Sequence, residues 1–349
     1  MAIAETLIKT LTSKDFATDQ EVRWCPGCGD YSILAQVQKV FPMLGIPREN
    51  FVVISGIGCS GRFPYYVNTY GIHGIHGRAT AIASGLKATR PELSIWIATG
   101  DGDCLSIGGN HTIHLFRRNI DVNLMLFNNQ IYGLTKGQYS PTSEVNKITK
   151  SSPLGSIDAP FNPASLILGA GGTFIARTMD RDPKHLQQML LRSAHHKGSS
   201  FLEIYQNCNI FNDGAFEMFT DKKSKADETV FLENGQPLIF GSEKNKGIRL
   251  DGLRPVVVTI DENTSANDLW IHDEKDPAKA DLLVSMFDDP TSENHLPRPF
   301  GVFYDIERPC YEDVMAEQIK NAIESKPANL DSLLSGKEIW EIKKEPALV

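Results

Sequence analysis

Short apolar runs separated by polar, helix-like stretches recur from Trp24 to about Asn212. Phe51-Val52-Val53-Ile54, Leu93-Ser94-Ile95-Trp96-Ile97-Ala98, Asn123-Leu124-Met125-Leu126-Phe127 and Phe201-Leu202-Glu203-Ile204-Tyr205 read as strands. The central two are almost continuously apolar, as parallel strands covered on both faces are. Ala79 to Ala88 and His111 to Arg118 fit helices between them. This alternation predicts an α/β fold, a doubly wound and mostly parallel sheet, with ligands beyond the carboxyl ends of the strands. Residues 1–20 are polar and read as an N-terminal arm, and residues 21–215 as the binding domain. Beyond residue 215 the pattern weakens. Lys222-Lys223-Lys225 and Glu243-Lys244-Asn245-Lys246 read as solvated loops, and a helix from Tyr311 to Ser325 precedes a polar tail. Residues 216–349 are expected to form a C-terminal extension that packs on a partner subunit.

A chain of 349 residues with 41% hydrophobic and 22% charged positions can bury a sizeable core. No apolar run reaches the length of a membrane span, and Met-Ala-Ile-Ala-Glu-Thr at the start lacks the basic-then-apolar layout of a secretion signal. The net charge of −8 gives no basic footprint for nucleic acid. The expectation is a cytoplasmic protein that binds neither membrane nor nucleic acid. Six cysteines in so long a chain do not form a disulfide framework; metal or redox chemistry is expected wherever they converge.

The sharpest chemical signal is Gly100-Asp101-Gly102-Asp103 after one strand and Asn128-Asn129-Gln130-Ile131-Tyr132-Gly133 after the next. Asp101 and Asn129 are oxygen ligands, which suit Mg²⁺ completed by phosphate oxygens. The glycines admit backbone N–H groups close to a diphosphate, at the start of a helical stretch whose dipole favours anions. The combination resembles the thiamine diphosphate fingerprint. Carried over residue by residue, that fingerprint implies Mg²⁺ on Asp101, Asn129 and the main-chain carbonyl of Ile131.

Trp24-Cys25-Pro26-Gly27-Cys28-Gly29 fits a thiol–disulfide pair, half a zinc site or half an iron–sulfur site. The residues before it make a poor strand, which argues against a thioredoxin-like context. Cys59 and Cys208 each follow a predicted strand, so all four cysteines can face one crevice. Four thiolates there would hold structural zinc or a 4Fe–4S cluster, and the sequence leaves both open. Cys104 and Cys310 read as small buried hydrophobes. Gly56-Ile57-Gly58-Cys59-Ser60-Gly61 also matches a dinucleotide-binding glycine pattern. However, Pro64 disfavours the helix that should follow, and no acid stands near the expected ribose position.

Taken together, Trp-Cys-Pro-Gly-Cys-Gly at 24–29, Gly-Ile-Gly-Cys-Ser at 56–60, His-Gly-Arg-Ala at 76–79, Gly-Asp-Gly-Asp at 100–103 and Tyr-Gly-Leu-Thr-Lys-Gly-Gln at 132–138 resemble the β subunit of 2-oxoacid:ferredoxin oxidoreductases, most closely the 2-oxoglutarate type. The likeness covers roughly residues 20–215. It implies one 4Fe–4S cluster on Cys25, Cys28, Cys59 and Cys208. It further implies a thiamine diphosphate lined by Ile57, Gly58, Cys59, Ser60, His76, Gly102, Asp103, Gly133 and Leu134. The implied reaction is coenzyme A-dependent oxidative decarboxylation of a 2-oxoacid, with electrons leaving through the cluster to ferredoxin. The thiazolium is the electron sink for decarboxylation, and a nearby cluster takes electrons one at a time. No glutamate here is identified as the activator of the aminopyrimidine. The family supplies it from an α subunit, so an αβ pair or its dimer is expected and no certain catalytic residue lies on this chain.

Arg62 and Lys136 are the candidates for binding a second substrate carboxylate, Arg having the bidentate geometry. They favour 2-oxoglutarate over pyruvate. His73, His111 and His114 lie near these motifs in sequence and read as packing or capping residues. The alternatives are a pyruvate or broad-specificity enzyme of the same family, a non-redox thiamine-dependent decarboxylase subunit with structural zinc, and an iron–sulfur electron-transfer subunit without thiamine.

Overall fold

A computed structural model describes residues 11–261, 268–286, 295–325, 328–336, 338–340 and 342. In chain order the elements are α1 (Asp30–Met43), β1 (Phe51–Ser55), α2 (Phe63–Tyr66), β2 (Tyr70–His73), α3 (Ala79–Thr89), β3 (Ser94–Gly100), α4 (Asp101–Leu105), α5 (Gly109–Arg118) and β4 (Asn123–Asn128). There follow α6 (Pro163–Gly169), β5 (Phe174–Met179), α7 (Pro183–His195), β6 (Ser200–Tyr205), α8 (Glu217–Thr220), α9 (Lys225–Glu228) and β7 (Thr229–Phe231). The last are β8 (Ile239–Phe240), β9 (Lys246–Asp251), β10 (Arg254–Thr259), α10 (Pro277–Ser285), β11 (Arg298–Asp305), α11 (Tyr311–Ser325) and α12 (Leu330–Leu334).

An eight-stranded sheet runs β2-β1-β3-β4-β6-β5-β11-β7, and a small antiparallel sheet runs β10-β9-β8. Pairing from β2 through β5 is parallel, with Val52 opposite Tyr70 and Ile95, Ile97 opposite Leu124, and Met125 opposite Leu202. The connection through α2 leads from β1 to one side and the connection through α3 returns to the other. This makes a topological switch point between β1 and β3, where a crevice opens at the carboxyl ends.

Strand residues alternate between two buried layers. Ile95, Ile97, Leu124 and Leu126 pack against Ala83, Leu115 and Phe116 of α3 and α5. Trp96, Ala98, Met125 and Phe127 pack against Ile33, Val37, Leu186 and Leu190 of α1 and α7. Both faces are therefore covered, which explains the near-continuous apolar runs. Helix α7 starts on Asp182, whose carboxylate accepts from His185 N, with Pro183 in the first turn. These are favoured starting residues, because they satisfy or remove amides that the helix leaves free.

Several expectations change. The described part of the supposed arm is anchored: Phe16 is fully buried in edge contacts with Phe41 and Phe51, both at 5.5 Å. Beyond residue 215, β11 pairs antiparallel with β5 and β7 pairs with β11, so both strands join the main sheet. Lys225 and Lys246, read as solvated, pair with Asp182 and Asp227. Pro64 is accommodated at the start of the single turn α2, where its missing N–H costs nothing. The helical stretch after Gly100 is broken at Ser106, so α4 is one short turn with little dipole of its own. Among the described residues no helix is long and apolar enough to cross a membrane.

Removing the Phe16 ring should cost about 3–5 kcal/mol, the usual range for truncating a buried aromatic. Phe16→Ala is expected to lower the denaturant midpoint markedly. An unchanged midpoint would mean that the segment before α1 is not part of the core.

Candidate active site

One buried carboxylate organises the crevice. Asp103 Oδ1 accepts from Ile57 N at 3.0 Å and Gly77 N at 2.7 Å, and His76 Nδ1 stands 2.6 Å away. Its Oδ2 accepts from Thr99 Oγ1 at 2.7 Å. The turns after β1, β2 and β3 are thus tied to a single side chain. Gly56 is required by the same packing, because a Cβ there would fall 1.9 Å from Asp103 Oδ2. Asp103 reaches the cavity, but its oxygens are occupied by protein donors. It holds His76 and the turns after β1 and β2 in place.

Asp101 opens α4 and is 2% exposed. Its Oδ2 accepts from Ser140 Oγ at 2.5 Å and Thr142 Oγ1 at 2.6 Å, and burial raises its pKa above the usual carboxylate range. Thr142 Oγ1 also lies 3.0 Å from Asn128 Oδ1, which joins the two halves of the motif. Asn128 Nδ2 in turn donates to Glu203, which pairs with the equally buried Arg177 at 2.7 Å. After β4, Gln130 adopts φ 55°, an uncommon conformation for a residue with a side chain. The resulting tight turn lets Asn129 Oδ1 accept from Ile131 N at 3.2 Å and brings Asn129 and Ile131 to the same cavity wall. Local strain of this kind is typical of ligand-holding turns.

The cavity has a volume of ≈570 Å³. Every residue expected around the thiamine lines it: Ile57, Gly58, Cys59, Ser60, His76, Gly102, Asp103, Gly133 and Leu134, together with Asp101, Asn129 and Ile131. Gly58, at φ +134° and with no atom within 4 Å of where a Cβ would stand, opens directly into it. Gly102 is a glycine because the Tyr132 ring lies where its Cβ would be, at 2.1 Å. An oxygen-donor set beside glycine-lined space fits a cation-bridged diphosphate.

The cysteines approach the same wall from behind. A Cβ on Gly133 would stand 3.5 Å from Cys59 Sγ and 3.6 Å from Cys208 Sγ. Cys28 is close enough to sense Cys59 and Cys208, and Cys59 to sense Cys208 and Cys25. Burial raises both thiols, Cys59 to about 12, so without a metal they stay protonated. Binding a metal or cluster here must expel protons. Cys25 is exposed and Cys28 borders an outer groove of ≈570 Å³ with Tyr31 and Arg181, whereas Cys59 faces the inner cavity. The four thiols thus bridge an inside and an outside surface. Among the described residues no three His, Cys, Asp or Glu side chains close on a single-ion site. Cys104 and Cys310 are buried elsewhere, each 2% exposed.

Arg62 is exposed and lines an adjoining groove of ≈390 Å³ that shares Ile57, Gly58 and Leu134 with the main cavity. His73 and Tyr65 line the same groove. Lys136 sits exposed on the following turn at φ 81° and borders neither space. His111 and His114 also lie outside the cavity.

Sequence reasoning missed four contributors. Asp30, 1% exposed, lines the cavity beside Cys28, and burial lifts its pKa to about 7. Gln206 lines the cavity from the end of β6. Ser140 and Thr142 arrive from a loop whose sequence carries no pattern. Only Asp30 had a signal, directly after the Cys-Pro-Gly-Cys-Gly run.

Comparison with known proteins agrees with this geometry. Residues 56–204 match the thiamine pyrophosphate enzyme, C-terminal TPP binding domain. The chain is 50% identical over 340 residues to the 2-oxoglutarate oxidoreductase subunit KorB of Mycobacterium tuberculosis, covering 94% of this chain and 88% of that protein. It is 42% identical over 206 residues to the 2-oxoacid:ferredoxin oxidoreductase 1 subunit beta of Aeropyrum pernix, covering 59% of this chain and 65% of that one. A solved 2-oxoglutarate:ferredoxin oxidoreductase from Magnetococcus marinus, with 2-oxoglutarate, coenzyme A and succinyl-CoA bound, superposes with TM-score 0.73 at 29% identity, covering 94% of this chain and 96% of that one. This chain therefore belongs to the β-subunit family of the 2-oxoacid:ferredoxin oxidoreductases.

Proposed function

We propose that this chain is the β subunit of a coenzyme A-dependent 2-oxoglutarate:ferredoxin oxidoreductase. It converts 2-oxoglutarate, coenzyme A and two oxidised ferredoxins to succinyl-CoA, CO₂, a proton and two reduced ferredoxins, and the same site serves the reverse carboxylation. The observation that carries this reading is the meeting of an oxygen-donor turn on the cavity wall with the thiols of Cys59 and Cys208 at Gly133. The choice of substrate and acceptor follows the relatives, which are 2-oxoglutarate and ferredoxin enzymes by name.

Bound thiamine diphosphate supplies the electron sink for decarboxylation, and a 4Fe–4S cluster supplies a one-electron outlet. Asp101, Asn129 and the Ile131 carbonyl would hold the Mg²⁺ that accompanies the diphosphate. Ser140 and Thr142 orient the Asp101 carboxylate, and Thr142 keeps it in register with the Asn128–Asn129 turn. Asp103 fixes His76 on the cavity wall. Cys25, Cys28, Cys59 and Cys208 would hold the cluster. Arg62 receives the distal carboxylate from the adjoining groove; the position of Lys136 makes it the weaker candidate.

Among the described residues lining the cavity there is no glutamate, which supports an activating carboxylate from an α subunit. The loop that carries Ser140 and Thr142 also exposes Leu154 (97%) and Ile157 (90%), apolar surface suited to that partner. Exposed Leu333, Leu334 and Trp340 support docking by the C-terminal residues as well. Free thiols throughout suit the reducing cytoplasm.

The anaerobically purified α/β complex should contain about four irons and four acid-labile sulfides for each copy of this chain. Zinc without sulfide would replace the redox reading with a structural one. Asp101→Ala should raise the apparent Kd for thiamine diphosphate in Mg²⁺ by more than about tenfold, or 1.4 kcal/mol; unchanged affinity would remove Asp101 from the cation site. Arg62→Gln should raise KM for 2-oxoglutarate roughly 10- to 100-fold, the worth of one charged hydrogen-bonded contact. KM for 2-oxobutyrate, which lacks the distal carboxylate, should barely move. Equal losses on both substrates would exclude Arg62 from substrate selection.

A further inference from the structure

Among the described residues, Gln206 is the side chain that touches both the cation turn and the thiol group. It follows β6 directly, two residues before Cys208, and is 1% exposed. Its Oε1 accepts from Asn129 Nδ2 at 2.8 Å. Its Nε2 donates to the Asn207 carbonyl at 2.6 Å and to Cys28 Sγ at 3.3 Å. The orientation of the amide is fixed by chemistry, because a carbonyl oxygen can only accept and so must face the NH₂ group. Both N–H groups are then used, and the oxygen is left for Asn129. That bond holds the Asn129 amide with its nitrogen turned away, leaving Oδ1 toward Ile131 N and the cavity.

Resting on the function proposed above, we propose that Gln206 is the positioning residue that links the two centres. Through its oxygen it sets the rotamer of the Mg²⁺ ligand Asn129. Through its nitrogen it donates to the sulfur of the cluster ligand Cys28. Outer partners of this kind fix a metal ligand's orientation. An N–H···S bond stabilises the more negative, reduced cluster and so raises its reduction potential. Asn129 follows β4, Gln206 follows β6 and Cys28 precedes α1, so the link between the centres depends on the fold and not on a local motif.

Two substitutions in the intact α/β complex separate the roles. Gln206→Glu keeps an oxygen for Asn129 and loses the N–H donor to Cys28. Gln206→Met keeps the length and loses both contacts. The cluster midpoint potential is read by anaerobic redox titration. Thiamine diphosphate affinity is read by calorimetry on cofactor-stripped complex at fixed Mg²⁺. Both variants should shift the potential to more negative values. The Met variant alone should weaken thiamine diphosphate binding, by roughly 10–100-fold. An unaltered potential in Gln206→Glu overturns the cluster role, and unaltered cofactor affinity in Gln206→Met overturns the cation role. If the Met variant fails to retain iron, the potential of the Glu variant still decides the first point. The unaltered complex is measured first: absence of a cluster there overturns the function on which this rests, and is distinct from a variant with an unchanged potential.

Discussion

The crevice depends on a single carboxylate that accepts from the turns after β1 and β2 and from the end of β3. Parallel strands deliver their carboxyl ends to one side of the sheet, but nothing in the sheet fixes how the following turns lie against one another. Asp103 does so by gathering the amides of Ile57 and Gly77, the ring of His76 and the hydroxyl of Thr99. In a buried setting such charge-assisted bonds are strong, and leaving any donor unmet would be costly. Gly56 and Gly77 have little freedom as a result. A Cβ at Gly56 would strike the carboxylate, and Gly77 holds φ +69° against the Gly108 backbone. With these turns fixed, the Asp101 and Asn129 turns have a rigid wall to face.

A second constraint runs through the sheet itself. Arg177 and Glu203 form a buried pair on β5 and β6, and Glu203 passes the connection to Asn128 on β4, then to Thr142 and Asp101. Breaking such a pair leaves an uncompensated charge in the core, so the arrangement is maintained as a unit. Asp101 therefore hangs on a polar network anchored beneath the cavity, whereas the thiols hang on loops at its rim. Cys59 faces inward and Cys25 outward.

Much of this was legible in the residues themselves. The apolar runs located four inner strands because those strands are buried on both faces. The Gly-Asp-Gly and Asn-Asn turns pointed to the cavity wall because small residues and oxygen donors stand at those strand ends. β2 escaped notice because it is a four-residue edge strand with no buried face. β7 and β11 lie far along the chain, and only tertiary pairing brings them into the sheet. Phe16 sat in a polar stretch where one aromatic gives no periodic signal. Ser140, Thr142 and Gln206 act through contacts across 39, 41 and 77 positions of chain, which no local pattern encodes.

The central claim is that thiamine and cluster chemistry share this cavity and act on 2-oxoglutarate. The most direct measurement is the visible spectrum of the anaerobic α/β complex, recorded before and after 2-oxoglutarate, then after coenzyme A, with pyruvate in parallel. A brown chromophore that bleaches with 2-oxoglutarate and coenzyme A, and poorly with pyruvate, is the predicted result. A complex that carries the chromophore but does not bleach with either oxoacid would contradict the claim.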